Sequence, residues 1–485
     1  RHELSAPMKT LAKNGFLSGE YSIFDYGCGR GDDLRELEAH GLDALGWDPN
    51  FRPDSEIVNS DVVNIGFVIN VIEDQDERIA AVLGAWDATS KLLVISAMLA
   101  NESYLAQFTP YKDGVITSRN TFQKYFSQAE LKTYIESTLD EEPIAISPGI
   151  FYVFKDKTLE QHFLQNRHKR SYQWQQITEP RPVNEDQARI LFTKNQELLE
   201  SFWLSCLAYG RVPANDEFND SDKIKELIGS NRKALKLVTD WFGKNELELA
   251  ANMRKEDLLI YFALGMFEGR KSYAHLPVDL KRDIKAFFDT HKVALNQAKE
   301  LLFDIANIEK ITVECLKAKE ALPAAKLTLE NGLPHSLTLH KNFIEEVSPL
   351  LRVYVYSALQ LYGELDDIQL IKVHITSGKV TLLGYEGFDD SPLPQLKERI
   401  KIKMADQDVD FFDYIREDKR PVLLDKIEYI DESFDDYKKQ KAFNKRFLKI
   451  HQEYQRSFNN LSSIYALFKE HKVELKGYRF FELTH

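Results

Sequence analysis

A strand, a glycine turn and a helix in immediate succession restrict this chain more than any other feature. Tyr21-Ser22-Ile23-Phe24-Asp25-Tyr26 reads as a short buried strand, Gly27-Cys28-Gly29-Arg30-Gly31 follows without a spacer, and Asp32-Asp33-Leu34-Arg35-Glu36-Leu37 carries a helical pattern. Glycine lets a ligand approach the backbone where no Cβ intervenes, and the start of the helix aims its free N–H groups at the same point. The unit opens an α/β sheet, in which ligands bind beyond the carboxyl ends of the strands.

The charges around the turn choose among ligands. A dinucleotide site presents Gly-x-Gly-x-x-Gly to a pyrophosphate, but here the third glycine comes one position early and Asp25, Asp32 and Asp33 surround the turn. Carboxylates repel a pyrophosphate. They suit S-adenosylmethionine, whose amino group and sulfonium are positive while its carboxylate meets the helix N–H groups. A second strand, residues 42–47, ends in Asp48-Pro49, 23 residues after Asp25, where an acid bonds both ribose hydroxyls. Asn59-Ser60-Asp61-Val62-Val63 then offers a carboxylate at the adenine amino group, and residues 66–72 read as a fourth strand with Asn70 near its end. A helix over 76–83, a strand over 91–96 and two strands in 143–154 joined at Pro148-Gly149 follow. The expectation is a Rossmann-like class I methyltransferase sheet over residues 1–155, mostly parallel with an antiparallel last strand. Its cofactor residues are expected to be Asp25, Gly27, Cys28, Gly29, Gly31, Asp32, Asp48, Pro49, Asp61, Val62 and Asn70.

The chain has 485 residues, enough for two to four domains, and no apolar run approaches the roughly 18 residues of a membrane span. It opens on Arg1-His2-Glu3 with neither an initiator Met nor a signal-peptide pattern, so a trimmed start is expected. Its three cysteines, Cys28, Cys206 and Cys315, lack zinc-site spacing, and a cytoplasmic location fits them. Net charge is −13, and residues 1–166 hold 26 acidic against 14 basic side chains, so the acidity is concentrated in the first domain. That excludes coating nucleic acid by bulk charge but leaves local basic patches possible in the near-neutral remainder.

At this point the sequence resembles the methyltransferases associated with bacterial DNA phosphorothioation systems. The stretches that carry the likeness are RHELSAPMKTLAKNGFL at residues 1–17, FDYGCGRGDD and GWDPNFRP in the first domain, then FGKNELELAANMRKEDLLIYFAL, KRDIKAFF, residues 337–356, and LIKVHITSGKVTLLGYEGFDDSPLP. The glycine motif is general to class I methyltransferases, whereas its combination with GWDP, LIKVH and FDDSPLP is narrow. The resemblance implies that Asp25, Gly27, Gly29 and Gly31 line the methionine part, Asp48 the ribose, and Asp61 with Val62 the adenine. It also implies a setting of DNA modification or phage defence, with the corresponding proteins as partners.

The acceptor leaves weaker marks. Amino-methylating DNA enzymes carry Asp/Asn-Pro-Pro-aromatic after the fourth strand, where this chain has Asn70-Val71-Ile72-Glu73-Asp74, and the cysteine of cytosine-C5 enzymes has no counterpart there. Asn70 and Glu73 are the catalytic candidates, against the plainer roles of cofactor contact and helix cap. Tyr104, Tyr111 and Arg119 lie where such folds elaborate an acceptor lid.

Residues 156–184 read as a charged connector in which Asn166-Arg167-His168-Lys169-Arg170 is a solvated linker. Residues 185–330 read as a helical domain with Phe202, Trp203 and Trp241 in its core, and 331–485 as an α+β region. In that last region Ser377-Gly378 joins two strands and places Lys372 with His374 on one face. Period two gathers Lys397, Arg399, Lys401 and Lys403 opposite Ile400, Ile402 and Met404. Such a strip, helped by Lys438, Lys439, Lys441, Lys445 and Arg446 on a following helix, either contacts phosphates or guards an edge strand in water. Three functions stay open: methyl transfer to nucleic acid, a cofactor-binding scaffold or sensor in a defence complex, and methyl transfer to a small-molecule or protein acceptor.

Overall fold

The computed structural model describes residues 3–100, 102–170, 186–267, 273–416, 419–452 and 460–483; the expected connector between 171 and 184 lies outside them. The first part of the chain runs α1 (Ala6–Lys13), β1 (Ile23–Tyr26), α2 (Asp32–Ala39), β2 (Ala44–Trp47), β3 (Ser60–Gly66), α3 (Gln75–Asp87), β4 (Thr89–Ser96) and α4 (Glu102–Leu105). Three short strands follow, β5 (Thr109–Tyr111), β6 (Gly114–Ile116) and β7 (Phe122–Gln123), then α5 (Gln128–Leu139), β8 (Ile144–Ser147) and β9 (Ile150–Phe154). One sheet has the order β2-β1-β3-β4-β9-β8. Its first four strands are mutually parallel, and β9 is antiparallel to both β4 and β8. The expected mostly parallel sheet with one reversed strand from a closing hairpin is present.

Sequence chemistry explains the local choices. The inner strands β1, β3, β4 and β9 are mostly buried on both faces and, apart from Asp25 on β1 and Asp61 and Asn64 on β3, read as near-continuous apolar runs, as parallel strands do. Asp74 caps α3 by accepting from the N–H groups of Asp76 and Glu77, and Ser127 with Glu130 forms a capping box on α5. One expected strand is displaced. The strand is Ser60–Gly66, and residues 67–72 form the loop after it: Phe67 turns the chain at φ 59°, while Ile69 stays buried and gave the loop its strand-like apolarity.

The helices continue with α6 (Lys157–Arg167), α7 (Asp186–Lys194), α8 (Gln196–Tyr209), α9 (Ser221–Leu227), α10 (Asn231–Phe242), α11 (Asn245–Leu264), α12 (Val278–Phe287) and α13 (His291–Asp304). The start of the expected connector is therefore a helix, begun where Asp156 accepts from the N–H groups of Thr158 and Leu159. Its basic cluster is not a solvated linker. Arg170 pairs with Asp257 (2.8 Å) and Glu256 (3.0 Å), and burial holds the Lys169 ammonium below its usual range. Phe202 and Trp203 are core as expected, with Trp241 stacked on Phe192 at 4.1 Å between centroids.

The chain closes with α14 (Ile308–Ala321), β10 (Ala325–Glu330), β11 (Leu333–His340), α15 (Pro349–Tyr362), β12 (Leu370–His374), β13 (Lys379–Glu386), β14 (Gln395–Lys403), β15 (Asp408–Asp413), α16 (Tyr437–Gln452), α17 (Leu461–Glu470) and the hairpin β16 (Val473–Lys476) and β17 (Arg479–Glu482). Strands β10 to β15 make a second sheet, antiparallel throughout and in sequence order.

Two compact units result: Arg1–Leu159 together with Asp304–His485, and Glu160–Phe303. The expected boundaries at 185 and 331 do not coincide with them. Within the first unit, α15 explains why the two ends of the chain belong together. It is apolar almost all round and buried along its length, packing on β13, β14 and β15 and also on β8 and α5. Past its end, Gly363 adopts φ 119° against the backbone of Ile146, whose carbonyl accepts from the N–H of Glu364 at 2.8 Å. Among the described residues no helix is long and apolar enough to cross a membrane.

Candidate functional site

Strand order reverses at β1, with β2 on one side and β3 on the other, so the carboxyl ends of β1 and β3 flank a crevice. The glycine turn lies there. Gly27, Gly29 and Gly31 all have positive φ, and a Cβ on Gly27 would collide with Val68 Cγ2. Gly29 faces open space, whereas Gly31 is roofed by the Arg52 guanidinium. Helix α2 begins at Gly31 with no side-chain cap, so its first N–H groups are presented at the crevice.

Asp48, at the end of β2, staples the turn in place. One carboxylate oxygen accepts from the Gly29 N–H (3.0 Å) and the other from Asn50 and Phe51 (2.9 Å each). Three of roughly four acceptor positions are thereby filled, leaving about one for a ligand. Pro49 is exposed at the start of that loop.

Asp25, on β1 beside the turn, is buried. Burial, reinforced by Asp33 and Asp48, raises its carboxyl to about 7 against the lowering effect of Asn64, whose Nδ2 donates to it at 2.8 Å. Asn64 was not singled out by the sequence. It is the register partner of Asp25 on β3, it is buried, and no hydrogen bond reaches its Oδ1. A lone amide inside Val62-Val63-Asn64-Ile65, level with the last acid of β1, is the signal that would have found it. The N-terminal segment closes over the same end, its Ser5 N–H donating to Asp33 at 2.7 Å.

Other expected residues fall elsewhere. Asp61 and Val62 are at the amino end of β3, remote from the turn along the strand direction: Asp61 accepts from Ser22 (3.2 Å) before β1 and pairs with Lys91 (3.1 Å). The misplacement follows from the displaced strand. Burial pushes the Cys28 thiol up to about 11, which keeps it protonated in the turn, and Asp32 is engaged by Arg35.

The two catalytic candidates are occupied. Asn70 is sealed from solvent, its Oδ1 accepting from Met98 N–H (2.8 Å) and its Nδ2 donating to the Lys124 carbonyl (2.5 Å). It clamps the loop after β3 to two neighbouring segments. Glu73 is partly exposed and held below the usual carboxylate range by Lys112 (2.7 Å) and by the Tyr111 hydroxyl (3.1 Å). Tyr104 joins Phe108 and Tyr125 in an aromatic cluster beside the small β5-β6-β7 sheet, and Arg119 is exposed there. A separate cavity of about 500 Å³ between α3 and α5 is lined by Arg78, Asp113, Phe126 and Tyr134, with Arg78 already paired to Asp113 at 2.6 Å.

No family model and no curated protein matches the chain. Among solved structures, it is similar to the crystal structure of magnesium protoporphyrin IX methyltransferase (ChlM) from Synechocystis PCC 6803 with bound SAH, with 11% identity and a TM-score of 0.23 over 30% of this chain and 82% of that one. A likeness of that size carries no argument about the chemistry of this chain.

Proposed function

We propose that the crevice beside β1 and β3 binds S-adenosylmethionine and that the chain is a methyltransferase. One observation carries this reading. Two buried acceptors stand next to a glycine turn and are short of donors: the Asp25 carboxyl, whose donor is Asn64 Nδ2, and Asn64 Oδ1, which no hydrogen bond reaches. An ammonium supplies three N–H donors and the positive charge that a buried carboxylate needs, whereas a pyrophosphate would supply neither. Asp25 and Asn64 would hold the amino group, the uncapped N–H groups of α2 the carboxylate, and the remaining lone pair of Asp48 the ribose. The reversed strand β9 suits the same reading, because class I methyltransferases have such a strand. When bound, the cofactor supplies a methyl group on a positively charged sulfur, and the protein's task is to align the acceptor in line with it.

For the acceptor we propose a nucleic acid, in the setting of DNA modification or defence that FDYGCGRGDD, GWDP, LIKVH and FDDSPLP bring by resemblance. A second reading, a cofactor-binding scaffold or sensor, is favoured by the engagement of Asn70 and Glu73, neither of which stands ready to take a proton. Radiolabelled methyl transfer offered DNA, tRNA and cell extract in parallel separates the two. Label in nucleic acid is expected; label in none of them, despite tight cofactor binding, would favour the scaffold.

A further inference from the structure

The second sheet carries chemistry that the cofactor crevice does not use. Its register sets Thr338, Lys372, Thr381, Lys401 and Asp410 side by side across β11 to β15, and Ser336, His374, Lys379, Lys403 and Asp408 in the next row. All point to the face opposite Val380, Leu382, Ile400 and Ile402, which are buried on the other side. The strip expected on β14 is therefore real but differently composed. Strand β14 is paired on both sides, so its lysines do not guard an edge. Lys403 is neutralised by Asp408 (3.1 Å) and Asp410 (2.9 Å), and Lys397 is the bulged residue between the pairs Glu398 with Gly384 and Leu396 with Tyr385.

What remains is a group of cations without anions. Lys372, Lys379, Arg399 and Lys401 have no ion pair among the described residues, and Lys372 is half-buried with its ammonium held below the usual range by that burial. Around them Thr338 and Thr381 are nearly enclosed, and Ser336 is fully enclosed with its Oγ unpartnered. Arg399 stacks over the Phe412 ring at 4.5 Å, and its Nε is buried without a partner. His374 bonds Thr381 Oγ1 (2.9 Å) and is pushed down to about 4, by burial first and then by Lys372, His335, Lys401 and Lys379, so these cations raise a common positive field. Half-buried unpaired lysines and an orphaned hydroxyl, that of Ser336, are costly unless an anion completes them.

We propose that this face binds the phosphate backbone of a nucleic acid. Lys372 and Lys401 stand two strands apart, about 10 Å at the usual strand spacing, and Lys379 and Arg399 extend the array along the strands. That is broader than one phosphate group and suits successive phosphates of a polymer, met by ammonium, guanidinium and hydroxyl donors as in other backbone contacts. The acidic edge strand β15, with Asp408 and Asp410, bounds the array on one side. The inference is independent of the cofactor reading.

The test is fluorescence anisotropy of the full chain with labelled single-stranded and duplex oligonucleotides across a salt series, with inorganic phosphate as a competitor. Binding whose logarithm falls linearly with log salt is expected. The double variant Lys379→Glu/Lys401→Glu should weaken it at least tenfold and flatten the slope by about one per lost phosphate contact. Lys401→Arg should keep the affinity, and reversal at exposed Lys233 and Lys285 controls for bulk charge. The His374 imidazole, followed by NMR, should titrate at higher pH with oligonucleotide bound, because phosphate cancels the field of the lysines. Absence of binding, wild-type affinity in the double variant, or displacement by phosphate beyond its ionic-strength effect would each overturn the proposal, the last by revealing a single-anion pocket.

Discussion

At Asp25, burial opposes ionisation more strongly than Asn64 supports it, and the carboxyl titrates at about 7 instead of 3.8. A carboxyl raised in the folded state contributes stability that is complete below its unfolded value, near 3.9, and is lost as pH rises through 7. Thermal melting of the cofactor-free protein should therefore fall from pH 5 to pH 8, and Asp25→Asn should remove that component; an identical pH profile in the variant would contradict it. Asn70 makes a different demand. Asn70→Ala would orphan Met98 N–H and the Lys124 carbonyl, a cost of about 2–4 kcal/mol in denaturant unfolding, with cofactor affinity unchanged. At this scale the gathering of the glycines, Asp25 and Asp48 around one turn was legible because each answers to its immediate neighbours in sequence. Asn64 was not, since its meaning comes from register with β1, and Asp61 was misread because the strand that carries it begins six residues earlier than its apolar run suggested.

Among the elements, the strand-turn-helix and the β8–β9 hairpin could be read directly, the first from its glycines and the second from Pro148-Gly149 between apolar runs. Helix α6 was hidden by its polarity, because Glu160, Gln161 and Gln165 are buried and serve a polar interior, not a solvated linker. Two glycines test the element scale. Gly27→Ala combines positive φ with a contact on Val68 and should cost about 1–3 kcal/mol while weakening cofactor binding. In Gly363→Ala the new Cβ would meet backbone atoms of Ile146 at 2.6 Å, and backbone yields less readily than a side chain. A lower melting temperature with the turn at Gly27 intact, hence without an equal loss of cofactor affinity, is the expected result, measured by calorimetric melting and titration side by side.

For the whole molecule, chain order conceals the principal fact that residues 1–159 and 304–485 form one unit around α15. No local pattern announces such a return; only the all-round apolarity of α15 hints that it serves two neighbours. Fragments 1–159 and 304–485 should accordingly co-purify when co-expressed and aggregate or bind hydrophobic dye when made alone. A monomeric, cooperatively melting 1–159 would count against this. The central claim, a cofactor site built on Asp25 and Asn64, is tested most directly by titration calorimetry of S-adenosylmethionine against 5′-methylthioadenosine, which lacks the amino-acid end, in wild type and Asp25→Asn. The account predicts that wild type prefers S-adenosylmethionine, more so as pH rises through 7, and that Asp25→Asn loses that preference at least tenfold. No heat with S-adenosylmethionine, or equal affinity for both ligands in the wild type, would contradict it.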